Sequence, residues 1–250
     1  MDDFLSLSVV TPPCRFAELL YDRGLSLTTS GKFVEALGVF SDALQYCCLF
    51  IGSAPNDDEA LKNKCREYIL GLSIELARRS LSSSEAGPSS DTVGKCIGLS
   101  FLFTQCGLEA IHLLLTLRSA LSLAIKSGNY RMGALFARKL VHENQHAPSN
   151  IQLAQNVISQ IQKSLVVCEE HVKKSETSGN PADCNPPIPS SNYMVSGATL
   201  KYICARTYEA VWSNSVHEDP LVCPFCAAKY HRNLSAPFVC DICHLCKITK

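Results

Sequence analysis

Six cysteines crowd the segment from Cys204 to Cys246, and four of them form two pairs of one grammar. Cys223-Pro224-Phe225-Cys226 is followed after thirteen residues by Cys240-Asp241-Ile242-Cys243. Each CxxC folds as a tight knuckle whose backbone amides point at sulfur, and a hairpin between the pairs closes a tetrahedron of thiolates around Zn²⁺. Four protein ligands leave no open position for water. The expected ion is therefore a structural Zn²⁺ held by Cys223, Cys226, Cys240 and Cys243. Metal binding on the order of 10–16 kcal/mol would supply most of the stability of a module with so little apolar sequence to bury. Lys229, Arg232 and Lys247 are near enough in sequence to offset the negative charge of four thiolates. Cys246 makes a second, overlapping CxxC, while Cys204, His231 and His244 are possible substitute ligands. Free or redox-active thiols are the other reading of the set.

The remaining cysteines, of 14 in 250 residues, are scattered from Cys14 to Cys184 through helical sequence. Secreted disulfide frameworks favour short, loop-rich chains, so these cysteines read as small buried hydrophobes. From about Arg15 to Lys174 the apolar residues recur at three- and four-residue steps. Phe16, Leu19, Leu20 and Leu27 run up to a break at Thr28-Thr29-Ser30-Gly31. A second helix from Lys32 carries Phe33, Ala36, Leu37, Phe40, Ala43 and Leu44. Asn56-Asp57-Asp58-Glu59 suits the start of a third, which ends near Arg79. The serine-rich stretch 80–91 predicts a surface loop, and further helices are expected at about 92–105, 108–126, 130–144 and 150–173. Gly24, Gly31, Phe33, Ala36, Phe40 and Ala43 match the spacing of a tetratricopeptide hairpin. Ser127-Gly128-Asn129-Tyr130 with Gly133 and Ala137 repeats that spacing loosely. Gly31 and Gly128 are 97 positions apart, not a multiple of the 34-residue repeat, so an irregular TPR-like α-solenoid is expected rather than a regular array. His112 reads as a core or interface histidine.

Prolines 181, 186, 187 and 189 end the helical pattern. The fold class expected is mainly α, with a helical solenoid over 1–174, a Pro/Ser-rich linker over 175–192 and a small β-rich, zinc-ribbon-like module over 193–250. Lys+Arg and Asp+Glu are both 23, which argues against gripping a phosphate backbone. No apolar run is long enough for a spanning helix, and Met1-Asp2-Asp3-Phe4 lacks the basic start of a secretory signal, so a soluble cytosolic chain is expected. His142-Glu143-Asn144-Gln145-His146 matches HExxH, in which two histidines bind zinc and the glutamate activates water, with Glu169 or Glu170 conceivable as a third ligand. Pro148 places His146 at a helix end, and a solvated end is the expectation there. Phosphate-loop, dinucleotide, nucleophile-elbow and kinase motifs are absent.

Several blocks resemble the C-terminal domain of the α subunit of coatomer. They are Lys32-Phe33-Val34-Glu35-Ala36, Cys65-Arg66-Glu67-Tyr68-Ile69-Leu70-Gly71-Leu72-Ser73, Leu117-Arg118-Ser119-Ala120-Leu121, Phe136-Ala137-Arg138-Lys139-Leu140 and Ile203-Cys204-Ala205. They run in order from about residue 14 to the C-terminus, and the Cys65–Ser73 block is the most specific. The resemblance implies a cytosolic coat, COPI, that buds vesicles from Golgi membranes for retrograde transport to the endoplasmic reticulum and within the Golgi. It also implies binding of the ε subunit, itself a tetratricopeptide solenoid, with other coat subunits as further partners and membrane association only through the coat. The family's N-terminal β-propellers are missing, so the chain looks like a fragment. The expected function is that of a non-enzymatic scaffold, with neither nucleic acid nor a small-molecule substrate as partner. The alternative is a zinc-ribbon interaction module of another trafficking or nucleic-acid complex, and more remotely an HExxH zinc metallopeptidase.

Overall fold

The computed structural model describes residues 13–50, 57–82, 89–178, 199–213 and 219–249. Among them are seven helices: α1 (Pro13–Thr29), α2 (Phe33–Phe50), α3 (Asp57–Ser82), α4 (Ser90–Phe103), α5 (Ala110–Lys126), α6 (Tyr130–His146) and α7 (Gln155–Ser178). Six short strands follow: β1 (Leu200–Ile203), β2 (Ala210–Trp212), β3 (Leu221–Val222), β4 (Lys229–Tyr230), β5 (Phe238–Val239) and β6 (Lys247–Ile248). They pair as three antiparallel hairpins, β1–β2, β3–β4 and β5–β6. The fold is mainly α with a small β-rich module at its C-terminal side, as the periodicity predicts. Two compact units result. One joins the residues up to Leu76 with those from Val195 onward, and the other holds Ala77–Met194.

In the first unit, α1 and α2 form a hairpin around a glycine turn. Gly31 has φ +74°, the left-handed conformation that costs an L side chain about 1–2 kcal/mol. The Gly31 amide bonds Thr28 O at 3.0 Å and the Lys32 amide bonds Leu27 O at 3.0 Å, which satisfies the last carbonyls of α1. Between the helices, Tyr21, Phe40 and Tyr68 form an aromatic cluster at the core. Phe40 stacks on Tyr68 with centroids 4.6 Å apart, and Tyr21 meets both edge-on at 5.6 and 5.9 Å. Gly24 makes room for this cluster, because a Cβ there would lie 2.6 to 2.9 Å from three Phe40 ring atoms. The Cys65–Ser73 block supplies the α3 face of the same core, with Cys65, Tyr68, Ile69 and Leu72 buried.

The second unit repeats the device. Gly128 (φ +72°) turns α5 into α6, with its amide on Ile125 O and the Asn129 amide on Ala124 O. The Asn129 side chain then caps α6 by accepting from the Met132 amide at 3.1 Å. Gly133 lets α7 approach, since a Cβ there would stand 2.9 Å from Cys168 Sγ. Tyr130 stacks on His171 at 4.0 Å, and the Arg138–Glu169 and Arg131–Glu176 pairs line the same contact. His112 is buried in α5.

The last helix starts later than the sequence predicts, at Gln155 rather than near 150. Asn144 Oδ1 accepts the Leu153 amide at 2.7 Å, and Gln152 Nε2 donates to Ala147 O at 2.9 Å, so residues 147–154 fold as a closed loop in place of a first helical turn. The helix also ends later, at Ser178, with Thr177 Oγ1 donating to Lys173 O. The rest of the 175–192 stretch, and 83–88 of the serine-rich one, lie outside the described residues.

Two glycines on the same hairpin separate the steric claim from general helix propensity. Gly24→Ala should destabilise by about 1–3 kcal/mol through overpacking against Phe40. Gly38→Ala, which meets nothing within 4 Å, should stabilise by roughly 0.5–1 kcal/mol. Thermal unfolding of the two variants beside the unsubstituted chain measures both signs.

Candidate metal centre

Two of the three β-hairpins present a CxxC at their tips. Cys223–Cys226 joins β3 to β4, and Cys240–Cys243 leads from β5 toward β6. The turns share one backbone design. The residue after each second cysteine, Ala227 or His244, sits at φ +57°. Its amide bonds the carbonyl of the first cysteine, at 2.9 Å for Ala227 on Cys223 and 3.1 Å for His244 on Cys240. That conformation turns the chain out of each knuckle, while the CxxC turn itself keeps its two sulfurs within 4.8 Å of each other.

The four sulfurs converge. All lie within 4.8 Å of one another and all four residues are buried. Cys223 Sγ stands 3.6 Å from Cys243 Sγ, and Cys226 Sγ stands 3.6 Å from Cys240 Sγ. A tetrahedral ion with metal–sulfur bonds of about 2.3 Å holds its sulfurs about 3.8 Å apart, so the spacing fits zinc. It does not fit a disulfide, and all four thiols are free. Crowding also splits their ionisation. Hydrogen bonds from Cys226, Cys240 and Cys243 pull Cys223 below the ordinary thiol range, while donation to its neighbours pushes Cys226 up.

Tyr230, at the end of β4, is the polar anchor beside the cluster and is not legible as such in the sequence. It is fully buried, its hydroxyl donates to Cys240 Sγ at 3.1 Å, and it accepts the Asp241 amide at 2.8 Å. Burial, then the bond to Cys240, raises its ionisation well above the usual phenol range. One group thus fixes both the sulfur and the backbone of the second knuckle.

Of the other candidate ligands, Cys204, His231 and His244 lie outside the four-sulfur group, and Cys246 borders it. Cys204 begins a third turn of the same design, with Tyr208 at φ +53° and its amide on Cys204 O at 3.0 Å. Here Thr207 occupies the position of the second cysteine, and its hydroxyl bonds Glu209. Cys204 Sγ accepts the His231 amide at 3.4 Å, outside the four-sulfur cluster, and His231 Nε2 faces Glu209 Oε2 at 3.2 Å. In place of shared sulfur, Arg206 ties this hairpin to the third. It makes two 2.9 Å bonds to the Asp241 carboxylate, donates to Val239 O at 3.2 Å and lies 4.0 Å above the Phe238 ring. His244 is exposed. Cys246 is partly exposed, with its sulfur 3.3 Å from Cys223 Sγ.

The knuckles are also held from outside. Gln45 Nε2 of α2 donates to Cys243 O at 3.3 Å, and Arg66 Nη1 of α3 donates to Cys226 O at 3.3 Å. The Cys48 thiol points at Phe225 O at 3.5 Å. Burial pushes the Cys48 thiol up to about 11. Gln45 and Cys48 come from sequence whose only evident signal is helical periodicity, whereas Arg66 lies in the Cys65–Ser73 block.

The HExxH stretch takes the geometry of a helix end. His142 and His146 face each other with centroids 4.4 Å apart, but His146 Nδ1 is engaged with His142 O at 2.8 Å. Glu169 pairs with Arg138 at 2.7 Å instead of approaching the histidines. Among the described residues, the one cluster with metal-site geometry is the cysteine set.

A helical-hairpin protein whose first helices clasp a cysteine-knuckle module is the class these features define. The chain belongs to the family described as the C-terminus of the coatomer (COPI) alpha subunit, whose model matches residues 16–250. It is 32% identical over 237 residues to coatomer subunit alpha of Dictyostelium discoideum, covering 93% of this chain and 17% of that protein. Coatomer subunit alpha-1 of Arabidopsis thaliana is 26% identical over 255 residues, covering 97% of this chain and 18% of the relative. The yeast Saccharomyces cerevisiae coatomer subunit alpha is 40% identical over 85 residues, covering 32% of this chain and 6% of that protein. The chain therefore spans less than a fifth of the length of these relatives.

Tyr230→Phe isolates the anchor. Loss of one hydroxyl leaves the Asp241 amide without its acceptor, and the β module should lose about 1–3 kcal/mol. Amide hydrogen exchange at residues 238–249 should accelerate, while exchange in α5 to α7 stays unchanged.

Proposed function

We propose that the chain acts as a non-enzymatic structural part of the COPI coat, binding the ε subunit in Golgi-to-endoplasmic-reticulum and intra-Golgi vesicle transport. The observation that carries this reading is the family match, which runs through both compact units and the cysteine module. In this reading the protein is cytoplasmic and reaches the Golgi membrane peripherally, as part of the coat. No helix among the described residues is long and apolar enough to cross a bilayer. Docking needs apolar surface, and each unit carries some. Val34 is 70% exposed and Leu49 57% exposed in the first, and Leu115, Val166 and Val167 are exposed in the second.

Cys223, Cys226, Cys240 and Cys243 hold a structural Zn²⁺ in this proposal. The ion supplies charge neutralisation and a rigid four-way link, and the protein supplies the hydrogen bonds around it. Tyr230 orients Cys240, while Gln45 and Arg66 hold the carbonyls of the second cysteine in each knuckle. These bonds transmit the order of the knuckles to α2 and α3.

Elemental analysis of the purified chain should find one zinc per molecule. Cys240→Ser should abolish that zinc and open residues 199–249 to protease, with α5 to α7 still protected. Absence of zinc from the unsubstituted chain would sink the metal assignment. Co-purification with an ε subunit tests the partner. Retention at about 0.5 M salt is the expected result, because an apolar interface resists the screening that dissolves ionic ones.

A further inference from the structure

The four-sulfur cluster has a fifth neighbour that the metal does not need. Cys246 stands 3.3 Å from Cys223 Sγ, closer than the 3.6 Å between Cys223 and Cys243 or between Cys226 and Cys240. The two partners also differ in access: Cys223 is 1% exposed, whereas Cys246 reaches solvent. A buried sulfur thus sits beside one that solutes can reach, the arrangement in which an oxidised outer thiol is captured by an inner one.

We infer that Cys246 is a peroxide-sensitive site that forms a disulfide with Cys223 and so removes one of the four metal-binding sulfurs. The inference rests on the metal reading given above. In the first step the Cys246 sulfur attacks one oxygen of hydrogen peroxide. The O–O bond breaks, leaving a sulfenic acid on Cys246 and a water that carries off the thiol proton. In the second, the Cys223 thiolate attacks the Cys246 sulfur, the S–S bond forms, the S–OH bond breaks, and the hydroxide takes a proton from solvent and leaves as water. The two sulfurs together lose two electrons, and one peroxide, with the Cys246 thiol proton and one solvent proton, becomes two waters. Cys226, Cys240 and Cys243 remain as the sulfurs available to the ion.

The pairing is the discriminating feature. The two CxxC pairs offer alternative disulfides, 223 with 226 or 240 with 243, but all four of those sulfurs are buried; the overlapping CxxC offers 243 with 246, but the 3.3 Å contact of Cys246 is to Cys223. The geometry therefore assigns the first disulfide to 223 and 246, across the second knuckle.

The experiment uses the full reduced chain treated with hydrogen peroxide. Zinc release is followed with a chromogenic chelator, and disulfides are mapped by mass spectrometry after alkylation. The expected first product is the Cys223–Cys246 disulfide, formed in step with zinc release and reversed by dithiothreitol. Cys246→Ser should keep its zinc content and thermal midpoint and release zinc roughly tenfold more slowly under peroxide. A first disulfide between any other pair, or equal release from Cys246→Ser, would overturn the proposal. Disulfide mapping on the unsubstituted chain stands alone should the variant fail to fold. A chain purified without zinc would defeat the metal reading only, because the 223–246 pairing is read from the same map with or without the ion.

Discussion

Four cysteine sulfurs brought within 4.8 Å at the tips of two small hairpins are the constraint on which the C-terminal module depends. Strands of two residues each cannot hold a register by ladder hydrogen bonds alone, since a lone hairpin is marginal even at greater length. The knuckle turns fix the local geometry, with Ala227 and His244 held at positive φ. Tyr230 spans from sulfur to backbone between them. The first hairpin keeps the turn but has Thr207 where the second sulfur would be, and it relies on the Arg206–Asp241 bond instead. One design is thus stabilised in two chemically distinct ways within about forty residues of sequence.

The helical units solve a different problem with glycine. At Gly24 and Gly133 the missing Cβ sets how closely two helices approach, and the space is taken by Phe40 in one unit and Cys168 in the other. At Gly31 and Gly128 the left-handed φ closes the hairpin and satisfies carbonyls that the helix leaves unpaired. Aromatic rings in mutual contact fill the first core, whereas the second buries Phe101, Phe103 and Phe136 among aliphatic side chains and carries surface ion pairs along α6 and α7. The exposed Arg138–Glu169 pair contributes little, within about 1 kcal/mol, so packing rather than charge holds α6 to α7.

Much of this is legible in sequence because it is local. The hairpin turns at Gly31 and Gly128, the burial of Phe40 and Ala36, the solvated end of the HExxH helix and the two CxxC turns all follow from spacing within one or two helical turns. Periodicity places the start of α7 too early because Asn144 and Gln152 close a loop through bonds that it does not register. Tyr230 escapes such a reading because an isolated tyrosine in a short strand carries no pattern. The roles of Gln45 and Arg66 are beyond reach for a deeper reason. Their acceptors, Cys243 O and Cys226 O, lie 198 and 160 residues away, and nothing in either segment names the other.

That separation bears on how the chain reaches its native state. A ribosome releases residues from one end to the other, so the aromatic hairpin of α1 and α2 emerges long before the carbonyls that Gln45 and Arg66 will grasp. Residues 77–194 form a compact unit of their own and can settle in the interval. The first three helices must wait, with their receiving surface bare, until the last knuckle has been made. Completion of the first unit therefore waits on residues made long after its helices, and until then those helices keep apolar surface open to off-pathway association.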